Sequence, residues 1–477
     1  MAEYDYDLGV IGGGAAGLTV AAGASQLGVK TLLVEKESRL GGDCLHYGCV
    51  PSKTLIRTAR VRHLMGRAQD FGLPAVDLSP VDYSQVGKRI AEVIDVIQVH
   101  DSVERFTSLG VDVQFGNASF KSNHVISLNG KAVSARTWVV ATGSSPSVPS
   151  IKGLKDVPYL TNLDIFSLPE LPSSLIVLGG GPIAVEMAQS FQRLGTKVTV
   201  VQRSNQILSK EDEDMASFVM EGMIADGVDF ILGSKIEEVR ETEGEIEVVL
   251  NVVGEQKIVR GSKLLVAMGR DSNTKGLNLE EIGVVLNQGA VEVDSRMRTA
   301  VFNIYAAGDV TGKYRFTHAA GYEGGIVVTN AVFRLPRKAD YTWLPWCTYT
   351  DPELASVGIN EKSAKASGIQ YETVVEEFST SDRALAEGEA KGRIKLLLDK
   401  KGKPLGCQIA AVHAGELLGE WVAAVNGKVG LSTLAGAIHP YPTLSEMNKK
   451  VAGKLLGEKI FSERVRKILR LLFSYRG

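Results

Sequence analysis

Residues 8–17 read LGVIGGGAAG, an apolar run that passes directly into a glycine turn and then into small, helix-compatible residues. Leu8–Ile11 predicts a buried strand, Leu18–Leu27 a helix and Lys30–Val34 a second strand. A strand, a glycine turn, a helix and a strand form the unit that seats a pyrophosphate at a helix N-terminus. Gly12 permits the tight turn, Gly14 lets the backbone approach phosphate, and Gly17 allows close helix packing. Glu35 ends the second strand, where an acid accepts ribose hydroxyls.

The device recurs. Leu175–Leu178 leads into GGGPIA at 179–184, with Gly179 and Gly181 in the places of Gly12 and Gly14, and Lys197–Val201 follows as a strand. Gly12 to Glu35 is 23 positions (35 − 12) and Gly179 to Gln202 is also 23 (202 − 179), so the two units have one length. Their last residues differ. Gln202 replaces the acid and Arg203 follows it, which removes repulsion from a 2'-phosphate and adds a cation to bind one. NADPH is therefore the favoured nucleotide, with NADH still open. No second arginine lies nearby, only Lys210, and Arg203 as a plain solvated residue remains the alternative.

Trp138–Gly143 reads as a strand ending in a small-residue turn, and Leu264–Gly269, followed by Arg270, repeats the pattern. Both read as crossings between domains. Asn303–Asp309 is a further buried strand whose closing acid is placed to accept from a cofactor hydroxyl. From about Tyr341 the character changes to strands at Glu372–Phe378, Gly392–Leu398 and Leu405–Ala411, then helices at Gly415–Asn426 and Ser445–Leu456, a third domain. The expected division is 1–150 with 275–340, then 151–274, then 341–477.

A chain of 477 residues, 44% hydrophobic and 23% charged, is long enough for about three such domains. A net charge of −2 gives no reason to expect nucleic acid as a partner. Met1–Leu8 carries Glu3, Asp5 and Asp7 where a secretory signal needs positive charge and an apolar run, so a cytoplasmic protein is expected. No uncharged apolar stretch reaches the roughly 18 residues of a membrane span.

The four cysteines are Cys44, Cys49, Cys347 and Cys407, and the first two lie in GGDCLHYGCVPSK at 41–53. Five residues of regular helix rise about 7.5 Å, more than the Cα separation of about 5.5–6 Å in a disulfide, so this segment must be distorted. Gly48 makes the distortion possible, and Pro51 suits the first turn of a helix running from there to about Leu64. A thiolate near a helix N-terminus has a lowered pKa. Structural thiols or half a zinc site are the alternative; with no second cysteine pair or HxxxH partner, no metal site is expected.

GGDCLHYGCVPSK, the two nucleotide turns, ATG at Ala141–Gly143 and AAGD at Ala306–Asp309 together resemble the class I pyridine nucleotide-disulfide oxidoreductases, the family of dihydrolipoamide dehydrogenase, glutathione reductase and mercuric reductase. The resemblance runs over nearly the whole chain. It implies a glutathione reductase-like α/β fold with two Rossmann-like domains, FAD in the first and NAD(P)H in the second, and a C-terminal α+β domain forming a homodimer with shared active sites. It implies that Cys49 lies over the flavin and Cys44 faces substrate. Lys53 would touch the flavin, Asp309 and Thr317 would line it, and Glu186 would lie where the nicotinamide stacks. Ala118, Thr142, Gly143 and Gly269 complete the expected cofactor contacts. Cys347 and Cys407 match no catalytic motif and read as buried small apolar residues.

One segment departs from the family pattern. Disulfide-reducing members carry a histidine in HPT followed by a glutamate, because a departing thiolate must be protonated by a group poised near neutrality. Here residues 439–446 read HPYPTLSE, and Tyr441 stands where that histidine is expected. Glu446 is retained, and His439 is the remaining histidine candidate. The tyrosine resembles mercuric reductase, in which thiolates hold a metal ion, yet no cysteine follows Cys407. The expectation is an FAD-dependent NAD(P)H reductase of the mercuric reductase-like branch, acting on a metal ion, a quinone or a thiol/disulfide acceptor. Dihydrolipoamide dehydrogenase and a slow-turnover flavin redox sensor are the alternatives. In the last residues Ile460, Phe461, Val465, Ile468, Leu469, Leu472 and Phe473 alternate with Lys459, Arg464, Arg466, Lys467 and Arg470, a basic amphipathic tail that either covers its own protein or meets an anionic membrane surface or acidic partner.

Overall fold

The protein is described from a computed structural model covering residues 4–474. Its fold is mixed α/β, as the strand and helix pattern predicts. The strand Tyr6–Ile11 lies parallel between Thr31–Glu35 and Lys131–Val140, with Val111–Phe115 and Ile304–Ala306 extending the sheet on either side. All five residues of Thr31–Glu35 are buried, which is why such strands read as unbroken apolar runs: both sheet faces are covered. Leu8, Val10, Leu33 and Val139 pack beneath the helices Ala15–Ser25 and Thr317–Ala331. Ile11, Leu32, Trp138 and Val140 pack on the opposite side with Phe120 and Ile126 of an antiparallel hairpin.

The second unit repeats the plan with four parallel strands, Asp229–Ile231, Lys197–Val201, Ser174–Leu178 and Lys263–Val266, in that order. The chain enters this unit after Ser144–Pro146 and leaves it at Arg270–Ser272, and these two segments pair antiparallel. The two expected crossings are therefore side by side.

Beyond them, five antiparallel strands run in the order Pro345–Thr348, Glu353–Gly358, Pro404–Ala411, Arg393–Leu398, Glu372–Glu377. The first two of these carried no strand expectation. Buried Trp421 of the helix Ala414–Asn426 packs in this core and donates from its indole N–H to Asn448 Oδ1 at 2.8 Å. A short acidic segment of the second unit plugs into this sheet. Buried Glu211 accepts from Trp346, from Ser356 Oγ at 2.9 Å and from Gln408 Nε2 at 2.8 Å. Lys395 Nζ, fully buried, lies 2.9 Å from Asp212, 2.6 Å from Asp214 and 2.8 Å from Glu361. These three carboxylates converge as a metal ligand set does, but the ammonium of Lys395 is what they surround.

Candidate functional site

The cysteine segment is broken in two. Cys44 lies in the short helix Gly42–His46, Tyr47 and Gly48 leave the helical path, and Cys49 opens a new helix that runs to Gly66. The expected start at Pro51 and end near Leu64 are thus corrected to Cys49 and Gly66. Pro51 is the third residue of that helix, where its missing N–H has no intrahelical acceptor to lose. Gly42 sets the position of the thiols. Its φ is +62°, and a Cβ there would lie 2.8 Å from Gly14 Cα, so the Cys44 helix rests directly on the first glycine turn. That turn is equally close-packed, since a Cβ on Gly17 would meet the Gly12 carbonyl oxygen at 1.8 Å.

The two thiols share one proton. Cys49 is held at a pKa of about 6 by the hydrogen bond from Cys44, then by one from Thr317 and by the charge of Lys53, all acting against burial. Its Sγ lies 3.3 Å from Thr317 Oγ1. Cys44 is pushed far above the ordinary thiol range because its proton is held against Cys49 and because it is buried. Near neutrality the pair is a Cys49 thiolate beside a Cys44 thiol.

Lys53 Nζ is 2.8 Å from Glu186 Oε2, and the Glu186 side chain is only 5% exposed. Burial works against the Lys53 charge, but Glu186 outweighs it and raises the lysine pKa. Tyr349 N donates to Glu186 Oε1 at 3.0 Å, and the Tyr349 ring lies 4.5 Å from Lys53 Nζ. The first unit, the second unit and the C-terminal sheet all meet at this pair.

The helices that follow the nucleotide turns begin without side-chain caps. Neither the helix Ala15–Ser25 nor the helix Pro182–Leu194 has a side-chain cap or an acid in its first turn, which suits each N-terminus to a phosphate. Both units therefore suit the pyrophosphate of a dinucleotide. Glu35 takes a role the sequence did not suggest. Its Oε2 accepts from Gly13 N at 2.6 Å and its Oε1 from Lys36 N at 2.7 Å and Glu37 N at 2.9 Å, so the acid holds the turn itself and any ribose must share it. Ala118 lies just past Phe115, the strand partner of Glu35.

Asp309 is reached from both crossings. Ser144 Oγ donates to Asp309 Oδ2 at 2.6 Å, and Arg270 donates to Ser144 Oγ at 2.7 Å while pairing with Asp43 at 3.1 Å. Burial raises the Asp309 carboxyl. Thr142 Oγ1 donates to Asn273 O at 2.6 Å, and Gly143 O accepts from Asn273 N at 3.0 Å; Gly269 O accepts from Ser147 N at 3.0 Å. In the second unit Gln202 lies against Gly180, as Glu35 lies against Gly13. Gln202 Oε1 accepts from Arg203 N at 3.1 Å, and the Arg203 side chain is exposed, with no ion pair among the described residues.

The proton-transfer candidates lie elsewhere. His439 pairs with Glu420 Oε1 at 3.0 Å. Tyr441 is 70% exposed, and its hydroxyl donates to Asp382 Oδ2 at 2.8 Å, a bond that raises its pKa. Glu446 accepts from Thr443 N at 3.4 Å and begins the helix Glu446–Ile460. Among the described residues none of the three bonds to Cys44 or Cys49. Cys407 is buried in the C-terminal core as expected, whereas Cys347 is only half-buried; desolvation still pushes the Cys347 thiol above the ordinary range, so neither is poised as a nucleophile.

Residues 6–324 match the family model of the pyridine nucleotide-disulphide oxidoreductases, and residues 344–452 match that family's dimerisation domain. A mercuric reductase of Staphylococcus aureus is 34% identical over 94% of this chain and 82% of its own length. A dihydrolipoyl dehydrogenase of Geobacillus stearothermophilus is 33% identical over 94% of this chain and 96% of its own. Among solved structures, the Cu(II) complex of the HOCl-induced flavoprotein disulfide reductase RclA from Escherichia coli superposes with a TM-score of 0.85 at 28% identity, covering 95% of this chain and 100% of that one.

Proposed function

The chain belongs to the pyridine nucleotide-disulphide oxidoreductase family, and from that premise we propose that it is an NAD(P)H-dependent flavoprotein reductase of the mercuric reductase-like branch, acting as a homodimer on a metal ion, a quinone or a thiol/disulfide acceptor. The observation that carries this reading is the Cys49 thiolate held between Cys44, Thr317 and Lys53. FAD, when bound, relays two electrons from the nicotinamide nucleotide to the cysteine pair. The Gly12–Gly17 turn and the helix N-terminus at Ala15 would hold its pyrophosphate, and Asp309 would take a hydroxyl. The second turn, from Gly179 to Gly181, would hold the nicotinamide nucleotide, with Arg203 toward a 2'-phosphate.

The Cys44–Cys49 disulfide takes up two electrons and one proton, and the proton rests on Cys44 Sγ. When Cys44 gives up that proton, the pair offers two thiolates, a ligand set that suits a soft metal ion. Tyr441 lacks the near-neutral pKa that protonating a departing thiolate requires. The copper complex of the Escherichia coli relative supports a metal acceptor. Dihydrolipoamide dehydrogenase is the second reading, supported by the nearly equal identity to that enzyme. Steady-state NADPH oxidation with mercuric and cupric ions, quinones and lipoamide tests both. Fastest turnover with lipoamide overturns the branch assignment, and negligible turnover with every acceptor points to a redox sensor.

A further inference from the structure

We propose that the helix Glu463–Ser474 is a docking element that seats the protein on an anionic lipid surface. It lies beyond the family's dimerisation domain, which ends at residue 452. No residue of this helix is buried, and Ile468, Leu472 and Phe473 are 57%, 56% and 69% exposed. At about 100° per residue, Val465, Ile468, Leu469 and Leu472 share one face, with Phe473 beside it. Lys467 and Arg470 take the opposite face, Arg464 and Arg466 flank the stripe on either side, and Leu471 falls between Lys467 and Arg464. Folding leaves this apolar stripe in water.

Charge selects the occupant. The helix holds four cations and one acid, a net +3 (4 − 1), whereas the whole chain carries −2, leaving −5 (−2 − 3) on the remainder. Pairing with the same helix of a second copy would set cations against cations. A lipid surface answers both features together: acyl chains take the aliphatic and aromatic face, while anionic headgroups meet the guanidinium and ammonium groups. The long cationic stems can lie along the apolar edge with their charged ends among the headgroups. No helix among the described residues is long and apolar enough to cross a membrane, so the contact is peripheral.

The test uses the full chain and sedimentation with phosphatidylcholine vesicles, with and without phosphatidylglycerol. The wild type should sediment with the anionic vesicles only, and salt should release it. Each of Arg466→Gln, Lys467→Gln and Arg470→Gln should weaken binding roughly fivefold. The double variant Ile468→Glu with Leu472→Glu should abolish binding while keeping the wild-type melting curve and oligomeric state. Failure of the wild type to bind anionic vesicles, or equal binding by these variants, overturns the proposal. If the double variant instead dissociates the oligomer, a second copy covers the face and the lipid assignment is wrong.

Discussion

Lys53 Nζ lies 2.8 Å from Glu186 Oε2, so one ion pair joins the helix that begins at Cys49 to the helix that follows the second glycine turn. The pair lies within electrostatic reach of the Cys49 sulfur: the lysine lowers that thiol's pKa and the glutamate raises it. One thiol thus senses a charge from each nucleotide unit.

Alkylation of the reduced protein by iodoacetamide should report that coupling, because the rate follows the thiolate fraction. Reaction at Cys49 should reach half its maximum near pH 6. Lys53→Gln and Thr317→Val should each move the midpoint upward, and Glu186→Gln should move it downward. Identical profiles in all four proteins would show that the sulfur does not sense these neighbours.

Nucleotide choice should follow Arg203. Arg203→Ala should lower kcat/KM for NADPH about tenfold, the equivalent of roughly 1.4 kcal/mol, and leave NADH nearly unchanged. A wild-type preference for NADH would remove the basis for this expectation.

Lipoamide reduction should be slow in the wild type, since loss of a positioned acid–base group costs roughly 100-fold or more. Tyr441→His should raise disulfide reduction without improving reduction of metal ions. If the variant gains nothing with lipoamide, Tyr441 does not occupy the proton-transfer position.

Lys395→Met leaves Asp212, Asp214 and Glu361 facing one another without their cation. The loss should be about 3 kcal/mol, seen as a lower midpoint in urea unfolding. An unchanged midpoint would mean that solvent already screens the cluster.

Local rules made the nucleotide units legible. An apolar strand feeding glycines at fixed spacing has few other solutions, and CxxxxC with Gly48 forces a broken helix. What stayed hidden depends on residues far apart in the chain. Tyr349 meets Glu186 through a backbone N–H, which no side-chain pattern announces. Glu35 looked like a ribose ligand because its strand position is right, yet its carboxylate also satisfies three local N–H groups. Helix 49–66 began early because Pro51 is tolerated anywhere in a first turn, so the proline marked the turn but not the first residue. Nothing in the sequence singles out Glu211 or Lys395, whose partners come together only in the folded sheet.

The plug formed by Glu211, Asp212 and Asp214 in the C-terminal sheet is a weld rather than a hinge. Parting it would strip a buried ammonium of its counterions and leave a buried carboxylate without donors, at a cost of several kcal/mol. The second unit and the C-terminal sheet are therefore held as one body, and Glu186 and Tyr349, one from each, keep their contact.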